Sequence, residues 1–175
     1  MTDSGVSPVT KQMVKIVFEL DSSEWPGGGT ETLWAVPIEE HEPRAFILDN
    51  SPFYFRGASY CDVVTATPTK NAAPGWFDFK DVIERGGHST YMILVSPEAP
   101  RRTALCNELK AIGCTYERAD LTFKSTGMQF LYSVDVPPST NLDEAFEILE
   151  RGENEGVWMF QEGYVPPIGW SAGKQ

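Results

Sequence analysis

Two hydrophobic periods divide this chain, and their order along it limits the fold more than any other feature. Up to Glu84, apolar residues recur at every second position in short runs. Val14, Ile16, Phe18 and Leu20 alternate with Lys15, Val17 and Glu19, and Thr32, Trp34 and Val36 alternate with Leu33 and Ala35. Ala45–Leu48, Asp62–Thr67 and Trp76–Glu84 read as further strands, with an aromatic run at Phe53–Phe55. Glycine- and proline-containing breaks separate them, at 21–30, 39–44, 49–52, 71–75 and Gly86-Gly87. Short strands at this density predict a small twisted sheet or partial barrel.

From Ser89 the pattern changes. Thr90–Val95 is a strand and Pro97–Pro100 a linker. Leu105, Leu109 and Ile112 then sit at helical spacing, in a helix over 101–112 that Gly113 ends as a C′ residue. Cys114–Ala119 and Met128–Val136 are strands joined by 120–127. Asn141 with Glu144 resembles a capping box, ahead of the stripe Leu142, Ala145, Phe146 and Leu149, which Gly152 is expected to close. Val157–Tyr164 is the last strand. The order β-α-β-β-α-β is that of a ferredoxin-like unit. The fold expected is therefore α+β: a mostly-β subdomain over 13–88 packed on a ferredoxin-like subdomain over 89–165, with a disordered lead-in at 1–12 and a tail at 166–175.

Charge narrows the partners. Among 175 residues, 14 Lys and Arg face 25 Asp and Glu, for a net charge of −11 spread over both halves. With no basic patch or arm, neither nucleic acid nor an anionic membrane surface is an expected partner. No apolar segment reaches membrane-spanning length, and Asp3 stands where a secretory signal would want a base. Cys61, Cys106 and Cys114 are too few and too scattered for disulfide staples and read as reduced thiols, so a cytoplasmic location is expected.

The phrases Trp25-Pro26-Gly27, Glu31–Ala35, Leu48-Asp49-Asn50-Ser51-Pro52-Phe53, Cys61–Val64 and Gly86-Gly87-His88-Ser89-Thr90-Tyr91 resemble those of the bacterial domain of unknown function 4265 family. The likeness runs over roughly residues 13–165. It implies a cytoplasmic bacterial protein and transfers no activity and no residue role.

Read for chemistry, the chain holds no zinc spacing, since Cys106 and Cys114 are far from His41 and His88; no metal and no cofactor are expected. Gly27-Gly28-Gly29 lacks the Lys and helix of a phosphate loop. The segment Gly86–Thr90 is the best candidate site. Paired glycines let backbone approach a ligand, His88 offers an imidazole as general acid or base, and Ser89 and Thr90 add hydroxyls. Asp62 or Asp49 is the carboxylate expected to orient His88, with Asp49, Asn50, Tyr54, Ser89 and Thr90 fixing a ligand. Cys61 beside His88 is a further nucleophile candidate. Against this stands the plain reading of a glycine turn entering a strand. The dense aromatics Trp25, Trp34, Tyr54, Phe55, Trp76 and Phe77 are expected mostly to face a core.

Two functions follow. The leading expectation is a non-catalytic module that neutralises or regulates a basic protein partner, as an immunity protein would. It rests on the negative charge and on the acidic helix residues Asp143, Glu144, Glu147 and Glu150. The alternative is a small-molecule enzyme or ligand-binding protein using a cleft around His88.

Overall fold

The computed structural model describes residues 12–39 and 41–167; the expected lead-in up to residue 11 and the tail beyond 167 lie outside the described residues. Over the described residues the chain is mixed α+β, with five strands closed into a barrel followed by a four-stranded sheet with two helices.

The barrel is built by β1 (Val14–Leu20), β2 (Gly29–Ile38), β3 (Ala45–Leu48), β4 (Val63–Pro68) and β5 (Trp76–Glu84). Successive strands pair antiparallel, and β5 returns parallel to β1 to shut the ring, Ile16 lying opposite Phe77. Closure removes both sheet edges. The alternation of β1 points Val14, Ile16 and Phe18 inward, and the β1–β2 register sets Ala35, Leu33 and Glu31 against them. Leu48, Phe46, Val64, Ala66 and Phe77 complete this core. Trp34 therefore faces out: it is 47% exposed, with the Lys15 ammonium over its ring at 4.9 Å and over that of Trp76 at 4.6 Å. The aromatic density does not map onto the core as expected, because period two assigns half of a strand's rings to solvent.

One inward position carries a charge. The Glu31 carboxylate is buried and accepts the backbone N–H groups of Phe53 (2.6 Å), Tyr54 (3.1 Å) and Phe55 (2.7 Å). Burial raises its pKa against the pull of these three donors. Residues 53–55 are consequently an irregular segment pinned by Glu31, and Phe55 packs on Phe18 and Phe79.

The second sheet contains β6 (Ser89–Val95), β7 (Thr115–Phe123), β8 (Gly127–Val136) and β9 (Trp158–Tyr164), with α1 (Arg102–Ala111) after β6 and α2 (Leu142–Asn154) after β8. Strands lie in the order β7-β8-β6-β9, every pair antiparallel. Tyr91, Ile93, Val134 and Val136 on one face bury Leu105 and Leu109 of α1 and Ala145 and Leu149 of α2. Asn141 caps α2, its side-chain oxygen accepting the N–H groups of Asp143 and Glu144. Both helices end in the same way. Gly113 N–H donates to Lys110 O and Cys114 N–H to Leu109 O, while Gly156 N–H donates to Glu153 O and Val157 N–H to Gly152 O.

Two expectations fail here. The residue that ends α2 is Gly156, in the left-handed region at φ 69°, and not Gly152. Gly152 lies inside the helix because the Trp158 indole rests on it; a Cβ there would stand 2.2 Å from the ring. Residues 120–123, read as loop, continue β7, with Phe123 opposite Gly127. Their side chains are largely solvated, which hides the period. Among the described residues no helix is long and apolar enough to cross a membrane.

The barrel meets the sheet on the face away from the helices. Ser133 Oγ donates to Pro52 O (2.7 Å), Thr90 Oγ1 to Ser59 Oγ (2.9 Å), and Gly57 N–H to Gly163 O (3.0 Å). The long β3–β4 connection thus lies between barrel and sheet, and a cleft opens beside it.

Candidate functional site

Period two decides which side chains of the sheet meet the barrel. Ser133 and Asp135 of β8 lie opposite Glu117 and Thr115 of β7, so all four share the barrel-facing side. His88 precedes β6, whose Ser89 pairs with Val136, and its ring reaches back over the end of β8. His88 Nδ1 and Asp135 Oδ1 are 2.8 Å apart, with the two side chains only 14% and 11% exposed. The Tyr60 ring meets the imidazole edge-on at 5.1 Å. These groups line a cleft of about 520 Å³, together with Asp49, Asn50, Ser51, Thr115 and Glu117.

Of the residues singled out from sequence, His88, Asp49 and Asn50 come together here. Asn50 also has a framework task, its Oδ1 accepting the Trp34 N–H at 2.8 Å. Asp62 does not orient His88. It is fully buried, with Oδ1 accepting the Gly86 N–H (2.8 Å) and Oδ2 accepting the Ser59 N–H (3.0 Å) and Arg85 Nη1 (2.8 Å). Its carboxylate thus fastens the β3–β4 connection to the end of β5. Tyr54 lines a different depression, with Trp25 and Arg56. Ser89 and Thr90 are buried and do not line the cleft; the Thr90 hydroxyl is committed to Ser59. The partner of His88 is Asp135, 47 residues away. Ser133 and Asp135 interrupt the otherwise apolar run Phe130–Val136 two residues apart, on one face, and that was the available signal.

The glycine pair also has a framework role. A Cβ on Gly86 would lie 2.5 Å from the carbonyl carbon of Cys61, so Gly86 is bare to admit protein backbone, not ligand. Gly86→Ala is expected to cost about 1–3 kcal/mol by overpacking; an unchanged urea midpoint would contradict that contact. Cys61 itself is held at φ 64°. Burial raises its thiol pKa, which opposes the thiolate a nucleophile needs.

Asp135 is pushed above the ordinary carboxylate pKa by burial, partly offset by the His88 hydrogen bond and charge. When Asp135 is ionised it accepts from Nδ1–H, which fixes the tautomer and leaves the Nε2 lone pair free to accept a proton. Among the described residues no three His, Cys, Asp or Glu side chains gather closely enough to hold a metal ion.

A closed five-stranded barrel set on a two-helix antiparallel sheet, with a His–Asp pair in the cleft between them, is the class of α+β protein that these elements define. The chain belongs to the family described as domain of unknown function (DUF4265), whose model matches residues 31–160. No curated protein matches it. Among solved structures it is similar to one described as "Novel crystal structure of a hypothetical protein from Neisseria gonorrhoeae". The two are 18% identical with a TM-score of 0.62, over 87% of this chain and 94% of that one, a likeness of fold.

Proposed function

We propose that the protein binds a small polar molecule in the cleft beside the β3–β4 connection, and that His88 moves a proton to or from it. The observation that carries this reading is the His88–Asp135 pair, oriented at 2.8 Å in the wall of a cleft large enough for a metabolite. Asp135 positions the imidazole, Nε2 exchanges the proton, and Asn50 and Tyr60 shape the wall. Two architectural readings accompany it: a barrel unit over 13–88, and a ferredoxin-like unit over 89–165. The strand order β7-β8-β6-β9 with crossing helices α1 and α2 supports the latter.

The test is a thermal-shift screen of polar metabolites on wild type and His88→Ala. A true ligand at 100 times its Kd should add about 2.7 kcal/mol of stability, and the shift should vanish or shrink strongly in His88→Ala. If a reaction is found, His88→Ala should lower its rate about 10²–10⁴-fold. Hits that bind both proteins equally, or no hits at all, would remove the reading.

A second reading keeps one observation of its own. Asp143, Glu144, Glu147, Glu150 and Glu153 of α2 are all exposed, a negative face suited to a basic protein partner of an immunity or regulatory kind. Association through that face should slow steeply with added salt and with charge reversal on α2, and should ignore His88→Ala.

A further inference from the structure

The charge of the cleft narrows the ligand, an inference that rests on the reading of this cleft as a small-molecule site. Among the described residues its lining includes three carboxylates, Asp49, Glu117 and Asp135, and no lysine or arginine. Asp135 is occupied by His88. Asp49 and Glu117 are exposed and form no ion pair or side-chain hydrogen bond among the described residues. The nearest base in sequence, Arg118, cannot neutralise Glu117. Strand alternation turns it to the other face, where Asp120 holds it at 3.0 Å and its guanidinium lies 4.3 Å from the Phe130 ring centre.

Ser51 adds a polar group to the same wall. It lines the cleft and is only 7% exposed, yet its hydroxyl makes no hydrogen bond among the described residues. The hydroxyl is open to solvent, so it is free to pair with water or with a ligand. We propose that the cleft takes a small organic cation, an amine protonated at neutral pH, with its ammonium at Asp49 and Glu117 and a polar oxygen at Ser51 and His88. An anionic ligand would meet two uncompensated carboxylates and no counter-charge.

Only two histidines are present, which makes ring ¹⁵N NMR a clean readout. His41 is not among the cleft residues, its Nδ1 being 2.7 Å from Pro43 O, and serves as an internal control. Three probes of one length are titrated into the full chain: 4-amino-1-butanol, 1,4-butanediol and 4-hydroxybutyrate. The amino alcohol is expected to shift the His88 signals and leave His41 unmoved, at concentrations where the diol and the acid do nothing. Glu117→Gln and Asp49→Asn should each weaken it by roughly 3–10-fold, and the double variant should bind amine and diol alike.

Equal binding of the three probes, or an unchanged Kd in Glu117→Gln, overturns the cation assignment while leaving the cleft a ligand site. Silence of His88 toward all three also overturns it, and the broader reading then stands or falls on the metabolite screen alone.

Discussion

Replacing Asp62 by alanine is expected to cost the fold about 3–5 kcal/mol, because it removes the shared acceptor of two backbone N–H groups and of a partly buried guanidinium, which keeps only the Gly57 carbonyl. The donors are Arg85, Ser59 and Gly86, and the carboxylate they share is inaccessible to water. Arg85 is about a quarter exposed and stacks on Tyr164 at 3.9 Å, so partial rehydration of its guanidinium sets the lower end of the range. Asp62→Asn, which can still accept one N–H, should cost less. Urea denaturation with an unchanged m-value measures both, and a loss below about 1 kcal/mol for alanine would mean the carboxylate is not the fastening point.

The pH dependence has a definite sign. Burial raises the Asp62 pKa in spite of Arg85 and the N–H donors. The native state therefore holds this proton more tightly than the unfolded chain. Its contribution is full below the ordinary carboxylate value of 3.8 and declines as pH rises through the raised pKa. The cost of Asp62→Ala should accordingly be larger near pH 4 than at pH 7.

Trp158→Ala should have a comparable effect, about 3–5 kcal/mol, through loss of the largest ring in the helix-side core. Trp158 is buried against α2, its Nε1–H donates to Leu149 O at 2.9 Å, and its indole occupies the space that Gly152 leaves open. The two positions act as one. In the wild-type background Gly152→Ala should destabilise by about 1–3 kcal/mol through overlap with the ring. In the Trp158→Ala background the same change should be neutral, or stabilising by up to about 1 kcal/mol, because alanine is the better helix former. Additive losses across this cycle would show that the indole does not rest on Gly152.

Local rules read the local structure well. The alternation in Val14–Leu20 needed only its own seven residues, because an inward side chain every second position is a property of the extended backbone. Gly113 as the end of α1 and Asn141 as the cap of α2 are likewise short-range chemistry. The same rule chose Gly152 wrongly, since a glycine that ends a helix and one that seats a distant indole are identical in sequence.

The site divides in the same way. That Asp49, Asn50 and His88 sit on turns was legible from their types and their neighbours, and the structure brings these three to one cleft. Which carboxylate meets His88 was not legible. Asp62 and Asp135 are both buried, both raised in pKa and both next to hydrogen-bond donors. The difference between them is positional: β8 pairs with β6 in a register that delivers Asp135 to the imidazole, while Gly86 and Arg85 reach Asp62 first. The sequence by itself determined the order of strands and helices, the Asn141 cap, the Gly113 stop and the acidic balance, because those depend on neighbours a few residues apart. The barrel closure, the His88–Asp135 pair and the burial of Asp62 were decided only in the tertiary structure, where sheet register joins residues tens of positions apart and no local period records which partner arrives.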